Sequence, residues 1–90
     1  MKQVSQTTQF AKDVKRMRKR GKDLKRLKAV VSDLATGNTL DPKLRDHRLS
    51  GRWLHCQDCH IEPDWVLIYS TDAHSLRLER TGTHSDLFKK

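Results

Sequence analysis

Ninety residues carry 19 Lys and Arg against 11 Asp and Glu, a formal charge of +8, with 34% hydrophobic and 33% charged side chains. A chain this short buries only about 60–65% of its unfolded surface, which excludes a deep substrate cavity and leaves a shallow, exposed groove for any active site. The longest apolar run is Trp65-Val66-Leu67-Ile68-Tyr69, far short of the roughly 20 residues that span a membrane.

The opening MKQVSQTTQF holds no apolar signal core, and two cysteines make no disulfide framework. A cytoplasmic protein with free thiols, no membrane association and one domain over residues 1–90 is therefore expected. The charge is unevenly placed: residues 1–30 hold 11 basic and 2 acidic side chains, and residues 31–90 hold 8 and 9. All of the excess lies in the first third, which points to a polyanion or an acidic protein as partner.

In chain order, Val4 between polar neighbours suits an edge strand. Thr7 or Thr8 can cap a first helix whose apolar positions Phe10, Val14 and Met17 follow helical spacing. Gly21 breaks it. A second helix from about Lys22 carries Leu24, Leu27, Val30, Val31 and Leu34 on one stripe and stops at Gly37-Asn38. Together they read as an antiparallel helical hairpin. After Asp41-Pro42, residues 43–51 read as a loop containing His47, and Arg52 to about His60 as a strand. Glu62-Pro63-Asp64 is a turn, Trp65–Ser70 the central strand, and Ser75–Arg80 another strand after a turn at 71–74. Residues 81–84 close the sheet, and Leu87-Phe88 is a short apolar tail. Helices first and strands afterwards imply an α+β fold, an N-terminal two-helix hairpin packed on one face of an antiparallel sheet.

Five histidines, His47, His55, His60, His74 and His84, are many for 90 residues, and imidazole takes and gives protons near neutrality. Cleaving an RNA phosphodiester without a metal needs a base for the 2′-hydroxyl, an acid for the leaving 5′-oxygen and cations for the phosphorane. Histidine, aspartate and arginine suit those tasks, although a surface histidine taken alone is more often inert. His55-Cys56-Gln57-Asp58-Cys59-His60 holds a Cys-x-x-Cys, but a structural zinc needs four ligands, and in a strand positions three apart face opposite ways. Two partly buried thiols are the better reading, with no metal site. The basic helices hold more cation than solubility requires. Aromatics are few, so Lys12, Lys15, Arg16, Lys19, Arg20, Lys22, Lys25 and Arg26 suit phosphate contact rather than base stacking.

Three stretches resemble the YafQ branch of the RelE/ParE toxin superfamily. They are Asp46-His47-Arg48-Leu49-Ser50-Gly51, Asp58-Cys59-His60-Ile61-Glu62-Pro63-Asp64-Trp65-Val66-Leu67-Ile68-Tyr69, and Leu78-Glu79-Arg80-Thr81-Gly82-Thr83-His84-Ser85-Asp86-Leu87-Phe88. Phe10-Ala11-Lys12-Asp13-Val14-Lys15 is similar too, so the likeness spans nearly the whole chain. The resemblance implies a small curved antiparallel sheet with two helices on its outer face. It also implies a type II toxin–antitoxin toxin that cleaves mRNA in the ribosomal A site, as a ribosome-dependent, metal-independent endoribonuclease needing no cofactor. Carried over by motif, His47, His60, Asp64 and His84 form the catalytic set, Arg80 faces the scissile phosphate, and Trp65 and Phe88 support the site. The implied partners are the ribosome (through rRNA), mRNA and a cognate antitoxin, the toxin being a monomer within a hetero-oligomer. Two alternatives are a ParE-like inhibitor of DNA gyrase and a nucleic-acid-binding regulator without catalysis; neither needs the histidine–aspartate set.

Overall fold

The structure is a computed structural model that describes residues 1–38, 47–49 and 53–88, with backbone alone at 47 and 48. In order, the elements are β1 (Gln3–Gln6), α1 (Thr8–Lys19), α2 (Leu24–Thr36), β2 (His47–Arg48), β3 (Gln57–Glu62), β4 (Trp65–Thr71), β5 (Ser75–Gly82) and α3 (His84–Leu87).

Local chemistry sets both long helices. The Thr7 hydroxyl accepts the Phe10 N–H at 2.9 Å and donates to the Glu79 carbonyl at 2.8 Å, so one side chain caps α1 and ties it to β5. Asp23 caps α2, and Gly37 ends it in the left-handed conformation that glycine adopts without strain (φ 78°). The stripes named from sequence are the ones that turn inward. Phe10, Met17, Leu27, Val30 and Leu34 join Cys59, Ile61, Trp65, Leu67, Tyr69, Leu76 and Leu78 in the main core between helices and sheet.

The strands form one sheet in the order β1-β5-β4-β3-β2. The fold is the expected α+β arrangement, with one refinement: the sheet is antiparallel except at its edge, where β1 runs parallel to β5. Val4 is indeed in that edge strand, whose four residues are all exposed. Short, polar edge strands resist pairing with other chains.

Three local readings are corrected. The strand expected from Arg52 begins at Gln57 and continues through Glu62, because residues 53–55 form a tight turn; Arg52 itself lies outside the described residues. His47, expected in a loop, pairs its backbone with Asp58 as part of β2; most of residues 43–51, and Asp41 and Pro42 before them, lie outside the described residues. Residues 84–87, expected as sheet closure and tail, form the one-turn helix α3.

The other face of the sheet holds a smaller cluster, Val66, Ile68 and Leu87, with Leu49, Trp53, Cys56 and Phe88 packed against it. Cys56 therefore sits with this cluster while Cys59 is in the main core, so the two thiols lie on opposite faces. No helix among the described residues is long and apolar enough to cross a membrane.

Candidate active site

A bulge in β3 prepares the site. The register passes from His60↔Val66 to Glu62↔Trp65, leaving Ile61 as the extra residue. Ile61 enters the main core, and Glu62 accepts from Lys22, just before α2, at 2.8 Å and from Arg26 on α2 at 3.3 Å. His60, paired with Val66, is left on the face of the smaller cluster. Strict alternation would have put Glu62 beside His60; the bulge turns it to the helices instead.

Asp64 follows in the β3–β4 turn, its side chain 68% exposed. One of its oxygens accepts twice from His84, from the backbone N–H at 3.0 Å and at ring Nδ1 at 2.7 Å. These bonds, the backbone one foremost, hold the Asp64 carboxyl below the ordinary carboxylate range. The His84 Nε2 lies 3.3 Å from the Nε2 of His60, with ring centroids 5.2 Å apart. Phe88 backs the His84 ring at 6.0 Å. Three of the four expected catalytic residues thus meet at one exposed spot, while the His47 side chain lies outside the described residues.

An ionised Asp64 only accepts hydrogen bonds, so the proton on the His84 ring sits at Nδ1. A neutral His84 then carries its lone pair on Nε2, facing His60. The 3.3 Å contact is satisfied when His60 donates from Nε2. The pair is thereby sorted into an acceptor and a donor of protons.

Trp65 is fully buried in the main core, its indole N–H donating to the Thr81 hydroxyl at 2.9 Å, which in turn donates to the Val66 carbonyl. It lies inside the sheet and offers no surface to a substrate. Arg80 lies opposite Ile68 in the register, on the site face, but its Nε and Nη2 donate to Asp13 at 2.6 and 3.2 Å. Asp13 is fully buried on α1 and also accepts from Arg16, Gln9 and the Thr81 N–H.

Half of the expected basic face is engaged within the chain. Arg16 pairs with Asp13 and Asp86, Arg20 with Asp86, and Lys22 and Arg26 with Glu62. Lys12, Lys15, Lys19 and Lys25 form no ion pair among the described residues, and the same holds for Arg18 and Lys28, which sequence reasoning left out of the set.

A family profile described as "Bacterial toxin of type II toxin-antitoxin system, YafQ" matches residues 2–89. The chain belongs to the YafQ toxin family. It is 46% identical over 87 residues to the mRNA interferase toxin YafQ of Escherichia coli, covering 94% of each chain. The YafQ chain in the E. coli DinJ-YafQ toxin–antitoxin complex superposes with a TM-score of 0.90 at 42% identity, over 97% of both chains. A metal-bound toxin from Helicobacter pylori gives 0.91 at 41% identity, over 98% of this chain and 100% of that one.

Within the stretches that resemble YafQ, sequence reasoning gave no role to Asp13 or Asp86. Both left a signal. Asp13 falls on the Phe10–Val14–Met17 stripe, where a carboxylate must be paired to be buried. Thr83 and Asp86 have the spacing of a capping box, and both of its hydrogen bonds are formed.

Proposed function

We propose that this chain is the toxin of a type II toxin–antitoxin pair, an endoribonuclease that cleaves mRNA in the ribosomal A site and so arrests translation in the cytoplasm. The observation that carries this reading is the Asp64–His84–His60 relay: a carboxylate fixing one imidazole, whose other nitrogen faces a second imidazole. The family to which the chain belongs and the name of its E. coli relative, an mRNA interferase, support it. A pure binder, such as a gyrase inhibitor, has no use for such a relay.

His84 Nε2 exchanges its contact with His60 for the 2′-hydroxyl and takes that proton, and the 2′-oxygen attacks phosphorus. The bond from phosphorus to the 5′-oxygen breaks, and the leaving oxygen takes a proton from His60. The products are a 2′,3′-cyclic phosphate and a 5′-hydroxyl. Asp64 keeps the His84 ring oriented and stabilises the imidazolium formed there. Arg80, on the same face with Nη1 outside its bonds to Asp13, serves the phosphorane charge; His47 completes the set.

His84 and Asp64 stand exposed at the surface, so orientation comes from the ribosome, where it accounts for much of the rate. The exposed lysines of α1 and α2 dock on ribosomal RNA, with Arg16, Lys22 and Arg26 contributing to the same basic surface. A cognate antitoxin is the second partner, as DinJ is for E. coli YafQ, with one toxin monomer in each toxin–antitoxin unit. A metal ion, such as the metal-bound H. pylori relative holds, would find two nitrogen donors at His60 and His84. Held there, it would occupy the lone pair that the base requires.

The test compares the chain with His84→Ala on translating ribosomes and maps the message ends. Cleavage with cyclic phosphate ends by the first and none by the folded variant is expected. Equal cleavage by both overturns the assignment.

A further inference from the structure

The ring of His84 is carried by an element too short to hold itself. Four residues of helix have no stability of their own, because nucleating a turn costs more than its few hydrogen bonds return. What fixes α3 is therefore its set of anchors. Leu87 inserts into the smaller cluster, and Thr83 and Asp86 close the capping box. The third anchor comes from the helix layer. Arg20, the residue that ends α1, places Nη1 2.7 Å from Asp86 Oδ2 and Nη2 3.2 Å from Oδ1, a two-pronged pair. The same Oδ2 accepts the Thr83 N–H at 2.9 Å, and Arg16 Nη2 lies 3.7 Å away.

Gly82 leaves room for this arrangement. A Cβ there would lie 3.0 Å from Arg16 Nη2 and from both Cβ and Oδ2 of Asp86. The chain just before His84 is thus packed directly beneath the ion pair.

We propose that Arg20 and Asp86 are positioning residues for RNA cleavage: their ion pair clamps α3 to α1 so that the His84 ring stays on Asp64 and His60. This rests on the ribonuclease reading above. Arg20 then serves the chemical step through Asp86 and not by touching RNA, although it lies in the basic third of the chain. Its neighbours differ in this respect: Lys15 and Lys19 form no ion pair among the described residues, whereas both outer nitrogens of Arg20 are committed to one carboxylate.

The experiment uses Arg20→Ala, Asp86→Asn, Asp86→Ala and the double variant Arg20→Ala/Asp86→Ala in the full chain. Cleavage on ribosomes is resolved into kcat and KM. Each single variant is expected to lower kcat about tenfold with KM changed less than about twofold, since a small misplacement of the base acts on the chemical step. The double variant is expected to be no slower than the slower single one, because both act through one interaction. Asp86→Asn keeps an acceptor for the Thr83 N–H and should match Arg20→Ala. If Asp86→Ala fails to fold, those two variants still decide the matter.

A second readout is the proton NMR signal of the His84 Nδ1–H bonded to Asp64. It should broaden or move upfield in Arg20→Ala while the backbone amide spectrum stays dispersed. Additive losses in the double variant, an effect confined to KM and its salt dependence, or an unchanged His84 ring signal would each overturn the clamp. If the unaltered chain cleaves no message, the ribonuclease reading fails, and the ring signal alone decides whether the clamp orients His84.

Discussion

Two donors of His84, its backbone N–H and its ring Nδ1, converge on a single oxygen of Asp64 at 3.0 and 2.7 Å. The backbone bond ties the start of α3 to the β3–β4 turn, and the ring bond fixes the tautomer. One carboxylate thus sets both where the imidazole stands and which nitrogen is left to accept a proton.

Asp64→Asn tests this relation. The amide matches the carboxylate in size, but its NH2 can present a donor to Nδ1 and move the ring proton to Nε2, the wrong nitrogen for a base. Cleavage should fall by about 10²–10⁴-fold, the range that general acid–base catalysis contributes. The fold should survive, since the side chain is largely exposed. Circular dichroism and message-end mapping check the two halves. A variant within about threefold of the parent would mean that the tautomer does not matter.

How much of this is legible in the chain differs by element. Phe10, Val14 and Met17, and the stripe from Leu24 to Leu34, reveal both helices because helical periodicity is a local property. The meeting of His60, Asp64 and His84 is legible only through the family motifs, since no spacing rule links positions 20 or 24 residues apart. Asp13 can be read as buried but its partner cannot: Arg80 is 67 residues away in the chain. The basic third looks uncompensated for the same reason. Few of its acids lie within one helical turn, whereas Glu62 and Asp86 arrive from β3 and α3. The α3 helix escapes a reading that takes Leu87-Phe88 as an apolar tail, although Thr83 and Asp86 spell its cap.

Asp13→Asn should destabilise the chain more than any surface change. The buried carboxylate takes donors from Arg80, Arg16, Gln9 and the Thr81 backbone. Removing its charge leaves two guanidinium groups facing a neutral amide. Breaking a buried ion pair costs about 3–5 kcal/mol, with the lower end apt here because Arg80 and Arg16 are not fully buried. Urea unfolding measures it. A loss under about 1 kcal/mol would show that solvent already screens the network.

Acid should unfold the chain through three carboxyls held below their ordinary range, Asp86, Asp64 and, through the His74 and Ser75 N–H groups, Asp72. Arg20 chiefly lowers Asp86, helped by the Thr83 N–H, and His84 lowers Asp64. Because the folded pKa lies below the unfolded one, the unfolded chain binds more protons in the window between them, and stability rises with pH across it. The contribution is complete above about pH 5, beyond the unfolded carboxyl pKa, and is lost as pH falls through the folded values. Urea midpoints from pH 6 down to pH 2 should therefore decline, and Asp86→Asn should flatten the decline. An identical acid slope in that variant would remove Asp86 from the account.

The partition of the basic residues makes a kinetic prediction. Reversing Lys12, Lys15 and Lys19 to Glu should raise KM on ribosomes with kcat nearly unchanged. It should also lower the slope of log affinity against log salt by about one for each phosphate that is no longer neutralised. These lysines form no ion pair among the described residues, so stability should barely move. Unchanged KM and salt slope would place the docking surface elsewhere.

The two Nε2 atoms, 3.3 Å apart, have the separation of neighbouring ligands on one tetrahedral ion, for which metal–nitrogen bonds near 2.0–2.1 Å imply about 3.3–3.4 Å. Among the described residues no group of three or more ligating side chains completes a site, so such an ion would be weakly held. Bound there, it takes the lone pair of His84 that accepts the 2′-hydroxyl proton in the proposed mechanism. Zinc ions added at constant magnesium should therefore inhibit cleavage, and a zinc-selective chelator should restore it without raising it above the untreated rate. The rings of His60 and His84 should be the ones whose NMR signals respond. Stimulation by zinc, or loss of activity on chelation, would mean that the relay of two imidazoles is not the acid–base pair.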